Sequence, residues 1–208
     1  MSTTPEEAFG RAYASRQIER QRNPFRQRIK SWYVARVLPH VAGKAVDLGC
    51  GAGQILERLP AGSLGIEVNP FLVDDLAQRG LRVTRAVERA GGFDLSALPR
   101  NEFGTLVLSH VLEHFDQADQ VLRRLLHDCA DLGISTVIVV VPGASGFRSD
   151  PTHKTFVDLA YLRAHALLDS DGFRLAHHAY FPGNLRSLGR LFVYHELMAV
   201  YRLGARTT

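Results

Sequence analysis

Cysteine is scarce in this chain: there are two in 208 residues, Cys50 in a glycine-rich turn and Cys129 in a stretch of helical pattern. Neither belongs to a C-x-x-C pair, which argues against a structural zinc or a dithiol redox centre, and both read as reduced thiols. Long apolar runs are missing too. No stretch approaches the roughly 18 residues that cross a bilayer, and the opening segment MSTTPEEAFGRAYASRQ lacks the apolar core of a signal peptide. A soluble, cytoplasmic chain with no membrane span is therefore expected. Internal repeats and low-complexity tracts are also absent. What is present, 46% hydrophobic and 22% charged residues, suits one globular unit with a sizeable core.

The formal net charge is +4, and the excess is concentrated at the start, where Arg11, Arg16, Arg20, Arg22, Arg26, Arg28 and Lys30 outnumber Glu6, Glu7 and Glu19. A solvated helix face accounts for this; an anionic partner such as nucleic acid, a phosphorylated glycan or a membrane surface is the alternative. Residues 5 to 38 read as two helices parted at RNP. Pro24 suits a first helical position, and Phe25, Ile29, Trp32, Tyr33 and Arg36 follow at helical spacing. This predicts a helical arm over residues 1–40 and a main domain over 41–208.

From Lys44 the texture changes. KAVDLG, SLGIEV, LRVTRA, TLVLS and STVIVVV are apolar runs of strand length, and GQILERL, NPFLVDDLAQRG and DQADQVLRRLLHDCADLG read as helices among them. That rhythm predicts an α/β fold, a parallel sheet covered by helices. The polar loop ASGFRSDPTHKTF interrupts it. VDLAYLRAHALLDSDGF then reads as a helix closing at Gly172, FRLAHHAYF as a strand, and YHELMAVYRL as a strand or a helix.

The stretch AVDLGCGAGQ carries the most chemistry. A strand ends at Leu48, three glycines follow at Gly49, Gly51 and Gly53, and a helix is predicted next. Such glycines allow a tight turn and let a ligand approach bare backbone. A dinucleotide fingerprint would need glycine at position 54, where Gln54 stands. Further on, Glu67 at the end of GIEV is a carboxylate placed to accept both hydroxyls of a ribose.

The glycine motif resembles the first motif of the class I S-adenosylmethionine-dependent methyltransferases. GIEVNP, FDLSALP and SHVLEH extend the resemblance, which runs from about Lys44 to the C-terminus. It implies a doubly wound, Rossmann-like sheet of seven strands with helices on both faces. It also implies S-adenosyl-L-methionine as cofactor and S-adenosyl-L-homocysteine as product. By the same resemblance, Asp47 organises the methionine end, and Gly49, Cys50, Gly51, Gly53 and Gln54 pass beside the cofactor. Glu67, with Val68 next to it, takes the ribose; Asp94 and Leu95 meet the adenine; Ser109 and His110 sit beside the methionine portion. Gly104 stands where the family usually has Asp.

SHVLEH also contains H-x-x-E-H, the spacing of a class of zinc hydrolases. That site needs both histidines on one continuous helix and a third ligand downstream, whereas His110 falls at a strand end. No metal site is expected, the alternative being a divalent ion held by Asp150 and one histidine. Glu113 and His114 are expected to brace the following helix.

The candidate base is His153, with Asp150, in the loop SDPTHKTF at the same sheet edge, because histidine is readily poised near neutral pH, and His110 is the third catalytic candidate. The structural alternative has Asp150 capping a turn and His153 packing on the arm. Similar D-x-x-H loops occur in methyltransferases that act on sugars and glycans, so O-methylation of a small molecule or glycan is expected. The alternatives are an RNA or tRNA methyltransferase and a catalytically inactive, cofactor-binding regulatory partner. Tyr13 is expected to close over the cofactor, and Phe25, Trp32 and Tyr33 to pack.

Overall fold

The computed structural model describes residues 10–22, 24–89, 92–184 and 193–204, with the side chains of 20–30 and 88 outside that description. Much of the basic arm, and Phe25 with it, therefore lies outside the described side chains. Among the described residues no helix is long and apolar enough to cross a membrane.

The β-branched run TVIVVV becomes strand β7 (Thr136–Pro142), all seven residues of which are buried. A strand buried along its whole length must be covered on both faces, and this one lies mid-sheet. The other strands are β1 (Ala45–Leu48), β2 (Leu64–Glu67), β3 (Val83–Arg85), β4 (Glu88–Arg89), β5 (Gly92–Phe93), β6 (Thr105–Ser109), β8 (Asp169–Ser170), β9 (Phe173–Phe181) and β10 (Glu196–Leu203). Eight of them form one sheet in the order β3-β2-β1-β6-β7-β10-β9-β8, and β4 and β5 form a separate pair. Strands β3 to β7 in that order run parallel, while β10 is antiparallel to both β7 and β9. The predicted seven strands are therefore joined by a two-residue edge strand, β8. YHELMAVYRL resolves to a strand, because Leu197 to Tyr201 are all buried between β7 and β9.

Alternation along the strands divides the core between two faces. Val46, Leu48, Leu106, Leu108, Val137 and Val139 pack with Val121, Leu122, Leu125 and Leu126 of a long helix, α4 (Ala118–Leu132). Ala45, Val107, Ile138 and Val140 pack on the other face with Tyr33, Val34 and Val37 of α2 (Pro24–Val37). The second helix of the arm is thus one of the layers that cover the sheet. The first, α1 (Arg11–Arg22), places Ala14 against Ala52 and against Leu72 of α3 (Pro70–Gln78). Asn69 caps α3, its side chain accepting from the N–H groups of Phe71 and Leu72.

Two predicted helices are shorter than their sequence pattern. GQILERL yields only a single 3₁₀ turn at Leu56–Arg58. Gly53 in a left-handed conformation (φ +87°) precedes it and Pro60 follows it, too close together to let a helix repay its nucleation cost. The segment expected to be helical up to Gly172 has a helix, α5, only over Leu159–Ala164, since Ala166 adopts φ +54° and β8 follows.

Gly104 opens β6 at a crowded point, where a Cβ would stand 2.3 Å from the carbonyl oxygen of Ala42. Backbone cannot rotate away as a side chain can. Gly104→Ala is expected to destabilise the fold by about 1–3 kcal/mol, read as a lower urea midpoint with unchanged slope.

Candidate active site

The carboxyl ends of β1, β6 and β7 open on a cleft of about 300 Å³, within the range of small-molecule sites. Open parallel sheets bind ligands at this edge, because strand order reverses there and the loops part. The glycine turn forms one wall. Gly49, Gly51 and Gly53 all adopt positive φ, and a Cβ built on Gly51 meets nothing within 4 Å, so bare backbone faces open space.

Glu67 holds that turn from behind. Its Oε2 accepts the Gly51 N–H at 2.7 Å and its Oε1 the Asn69 N–H at 2.9 Å. The side chain is buried and is not among the groups lining the cleft; each oxygen keeps a second lone pair.

Asp47 lies on the floor, on the β1 face shared with Ala45. It is 1% exposed, lines the cleft, and neither carboxylate oxygen has a hydrogen-bond partner among the described residues. Burial is the main cause that pushes its pKa up to about 7; Glu67 adds to the rise, and the nearby Leu56 amide opposes it. A buried, unpaired carboxylate is costly unless something cationic or hydrogen-bonding meets it.

At the end of β6, His110 adopts φ +57° and donates its backbone N–H to Val140. The ring then lies between two acids, Nδ1 at 3.1 Å from Glu113 and Nε2 at 3.0 Å from Glu196 of β10. Both partners are acceptors, so both ring nitrogens carry hydrogen and the ring is an imidazolium. Burial would lower its pKa, but Glu196 and Glu113 outweigh this and raise it to about 10. His110 is therefore a fixed positive charge. Neighbouring Ser109 hydrogen-bonds the Tyr33 hydroxyl.

The opposite wall comes from the loop after β7. Asp150 Oδ1 accepts from the Thr152 N–H at 2.9 Å and from the Thr152 hydroxyl at 2.6 Å. Glu113 accepts the Lys154 and Thr155 N–H groups on its backbone carbonyl at 2.7 and 3.1 Å, so it ties down this loop rather than the helix that follows it. His153 is stacked on Phe147 and meets the His114 ring edge-on. Its Nδ1 lies 3.0 Å from the Phe147 carbonyl, which only accepts; that nitrogen carries the hydrogen, and in the neutral ring Nε2 holds the lone pair.

The sequence-predicted residues divide accordingly. Asp47, Gly49, Cys50, Gly51, Gln54, Ser109, His110, Asp150 and His153 all line the cleft, as does Tyr13 of the arm. Gly53, Glu67, Val68, Asp94 and Leu95 do not. Gly53 packs towards Leu76, Leu95 is 1% exposed in the core, and Asp94 bonds the Ser96 N–H at the surface. Tyr33, expected to pack, both packs and lines the cleft, whereas Trp32 is 59% exposed. Sequence reasoning missed Tyr33 as a site residue and Glu196 altogether. No short-range pattern marks either, though a glutamate opening a buried strand was a signal available in HELMAVYRL.

Residues 46–130 match the family described as a methyltransferase domain. No curated protein matches the chain. Solved structures similar to it include an S-adenosylmethionine-dependent methyltransferase from Archaeoglobus fulgidus, at 20% identity over 85% of this chain and 94% of that one, with a TM-score of 0.64. Magnesium protoporphyrin IX methyltransferase from Synechocystis PCC 6803, with bound S-adenosylhomocysteine, is similar at 16% identity, 95% and 97% coverage and TM-score 0.64. A Haloferax volcanii methyltransferase in complex with the Trm112 activator gives 16%, 95%, 96% and 0.63. At these identities the likeness shows a shared fold.

Proposed function

We infer that this chain is a class I S-adenosylmethionine-dependent methyltransferase that methylates an oxygen of a small molecule or glycan, a reading supported by the domain match over residues 46–130 and by the shared fold. The observation that carries the cofactor reading is Asp47: a buried carboxylate with two unsatisfied oxygens on a cleft floor fits a ligand that brings positive charge. The glycine turn supports it, since Gly51 leaves room for a compact nucleoside to lie against backbone. S-adenosylmethionine supplies a methyl group activated by a sulfonium. Asp47, the turn from Gly49 to Gln54, and Ser109 would hold it, with the adenosine end reaching towards Glu67 and Asp94.

The chain's own task is alignment and proton removal. Alignment of two reactants is worth on the order of 7–11 kcal/mol when it replaces a bimolecular encounter. His110, already an imidazolium, has no lone pair to take a proton, so it positions Glu113 and Glu196. His153 has one at Nε2 and lines the same cleft, which supports it as the group beside the acceptor oxygen. Asp150 orders its loop through Thr152.

His153→Ala is expected to leave S-adenosylhomocysteine affinity intact while lowering kcat by about 10²–10⁴-fold, the usual worth of general-base catalysis. Equal losses in affinity and turnover would make His153 structural. The reading as a whole is tested by incubating the protein with labelled S-adenosylmethionine and fractionated extracts. Label in glycans or metabolites is the expected result. Label confined to RNA would overturn the acceptor class, and tight cofactor binding without any label would leave a regulatory protein.

A further inference from the structure

We propose that Glu113, His114 and His153 form a binding site for a first-row divalent transition-metal ion at the acceptor end of the cleft. One donor atom from each of the three lies within 4.8 Å of the others. Three donors on one ion at about 2.1 Å stand roughly 3.0–3.6 Å from one another, so the most distant pair would close by about an ångström through side-chain rotation when the ion binds.

The hydrogen-bond pattern already sets up the donors. The Phe147 carbonyl fixes the His153 hydrogen on Nδ1 and leaves Nε2 as the donor. The Thr152 hydroxyl gives its hydrogen to Asp150, so its oxygen accepts from His114 Nδ1 at 3.2 Å and leaves that ring's Nε2 as a second donor. Such outer partners, a carbonyl and a hydroxyl relayed to a carboxylate, are what orients histidine ligands around metals.

Glu113 adds the independent observation. Its side chain is 0% exposed, Oε1 serves His110, and Oε2 has no hydrogen-bond partner among the described residues. His153 Nε2 stands 3.9 Å from Oε1, too far for a hydrogen bond between them. A buried carboxylate with one oxygen unpaired, grouped with two imidazoles, is a set of donors that a cation would satisfy. The positive charge of His110 does not forbid one, because Glu196 offsets it.

Two imidazoles and one carboxylate suit manganese, iron, cobalt, nickel or zinc better than calcium or magnesium, and three protein ligands leave positions open towards the cleft. An ion there would occupy the lone pair that His153 otherwise offers as a base. It would replace that function by holding a hydroxyl oxygen and easing loss of its proton to water. That the oxygen belongs to a methyl acceptor rests on the proposed function; the ion site does not.

The H-x-x-E-H spacing thus misleads in one respect. His110 is engaged by two carboxylates, and the third donor comes from His153, 39 residues beyond His114 in the sequence.

The test is titration of the untagged, cofactor-free protein with Co²⁺, followed by calorimetry and by the visible d–d spectrum, whose position reports nitrogen ligation. One equivalent with a nitrogen-shifted spectrum is expected. His114→Ala and His153→Ala should each weaken binding by at least about tenfold, while His127→Ala, on the exposed face of α4, should leave it unchanged. Absence of saturable binding by the wild-type protein, or binding that survives both substitutions in proteins that melt like wild type, overturns the site. The wild-type spectrum alone decides if a variant fails to fold. S-adenosylhomocysteine titrated in parallel reports on the cofactor separately, so a lost metal site and a misread cofactor give different results.

Discussion

Gly51→Val is expected to abolish saturable binding of S-adenosylhomocysteine while leaving a folded protein. Two separate physical effects act at this residue. Its φ of +55° is a left-handed conformation that costs an L-residue roughly 1–2 kcal/mol, and more when the side chain is β-branched. That strain falls on stability and should lower the melting temperature modestly. The second effect falls on binding. Since a Cβ there meets no atom within 4 Å, valine does not clash with the protein itself; its methyl groups project into the open space of the cleft. An isopropyl group there would fill the space in which a ligand lies against the turn, so the ligand would lose its contacts with this wall. Gly51→Ala should fall between the two. Calorimetric titration of the three proteins checks the series, and affinity unchanged in the valine variant would remove the cofactor from this turn.

The parts of this architecture that were legible in sequence are those fixed by short-range pattern. The valine run of β7, buried throughout, and the glycine-closed helix α4 both declare themselves within a few residues. The same holds for the glycine turn and Asp47, whose chemistry depends on adjacent positions. What could not be read depends on pairings across the fold. Tyr33 reaches Ser109 over 76 residues and Glu196 reaches His110 over 86, and neither partner carries a local mark of the other. GQILERL failed for a different reason. Its pattern favours a helix, but the glycine turn and Pro60 set the chain's course on either side and leave room for one 3₁₀ turn. The arm carries no strand and so reads as separate from the sheet, yet Tyr33, Val34 and Val37 pack with Leu76 of α3 on the sheet face of Ala45, Val107 and Ile138. Tyr33 could then reach the cleft from a residue expected only to pack.

Asp47→Asn should stabilise the free protein and weaken cofactor binding, two opposite signs from one atom exchange. Folding raises the Asp47 pKa from its ordinary value near 4 to about 7, chiefly by burial. Between these values the folded state holds a proton that the unfolded state has released, so stability falls as pH rises through this window. The full difference is on the order of 4 kcal/mol, present as a penalty above pH 7 and absent below pH 4. Asparagine removes the charge and with it that pH dependence, so the variant should melt higher than wild type at pH 8 and about equally at pH 4.

A cationic ligand reverses the preference. It holds Asp47 ionised, and losing that charged contact should weaken S-adenosylmethionine binding by about 1.5–3 kcal/mol, or roughly 10- to 150-fold, at pH 8. Near pH 6 the wild-type carboxyl is mostly protonated before the ligand arrives, so binding must release close to one proton. The calorimetric enthalpy should then vary with the ionisation enthalpy of the buffer at pH 6, much less at pH 8, and not at all in the asparagine variant. Proton release that persists in Asp47→Asn would assign the linked group elsewhere. Binding that is neither proton-linked nor weakened would mean that Asp47 never meets the ligand's charge.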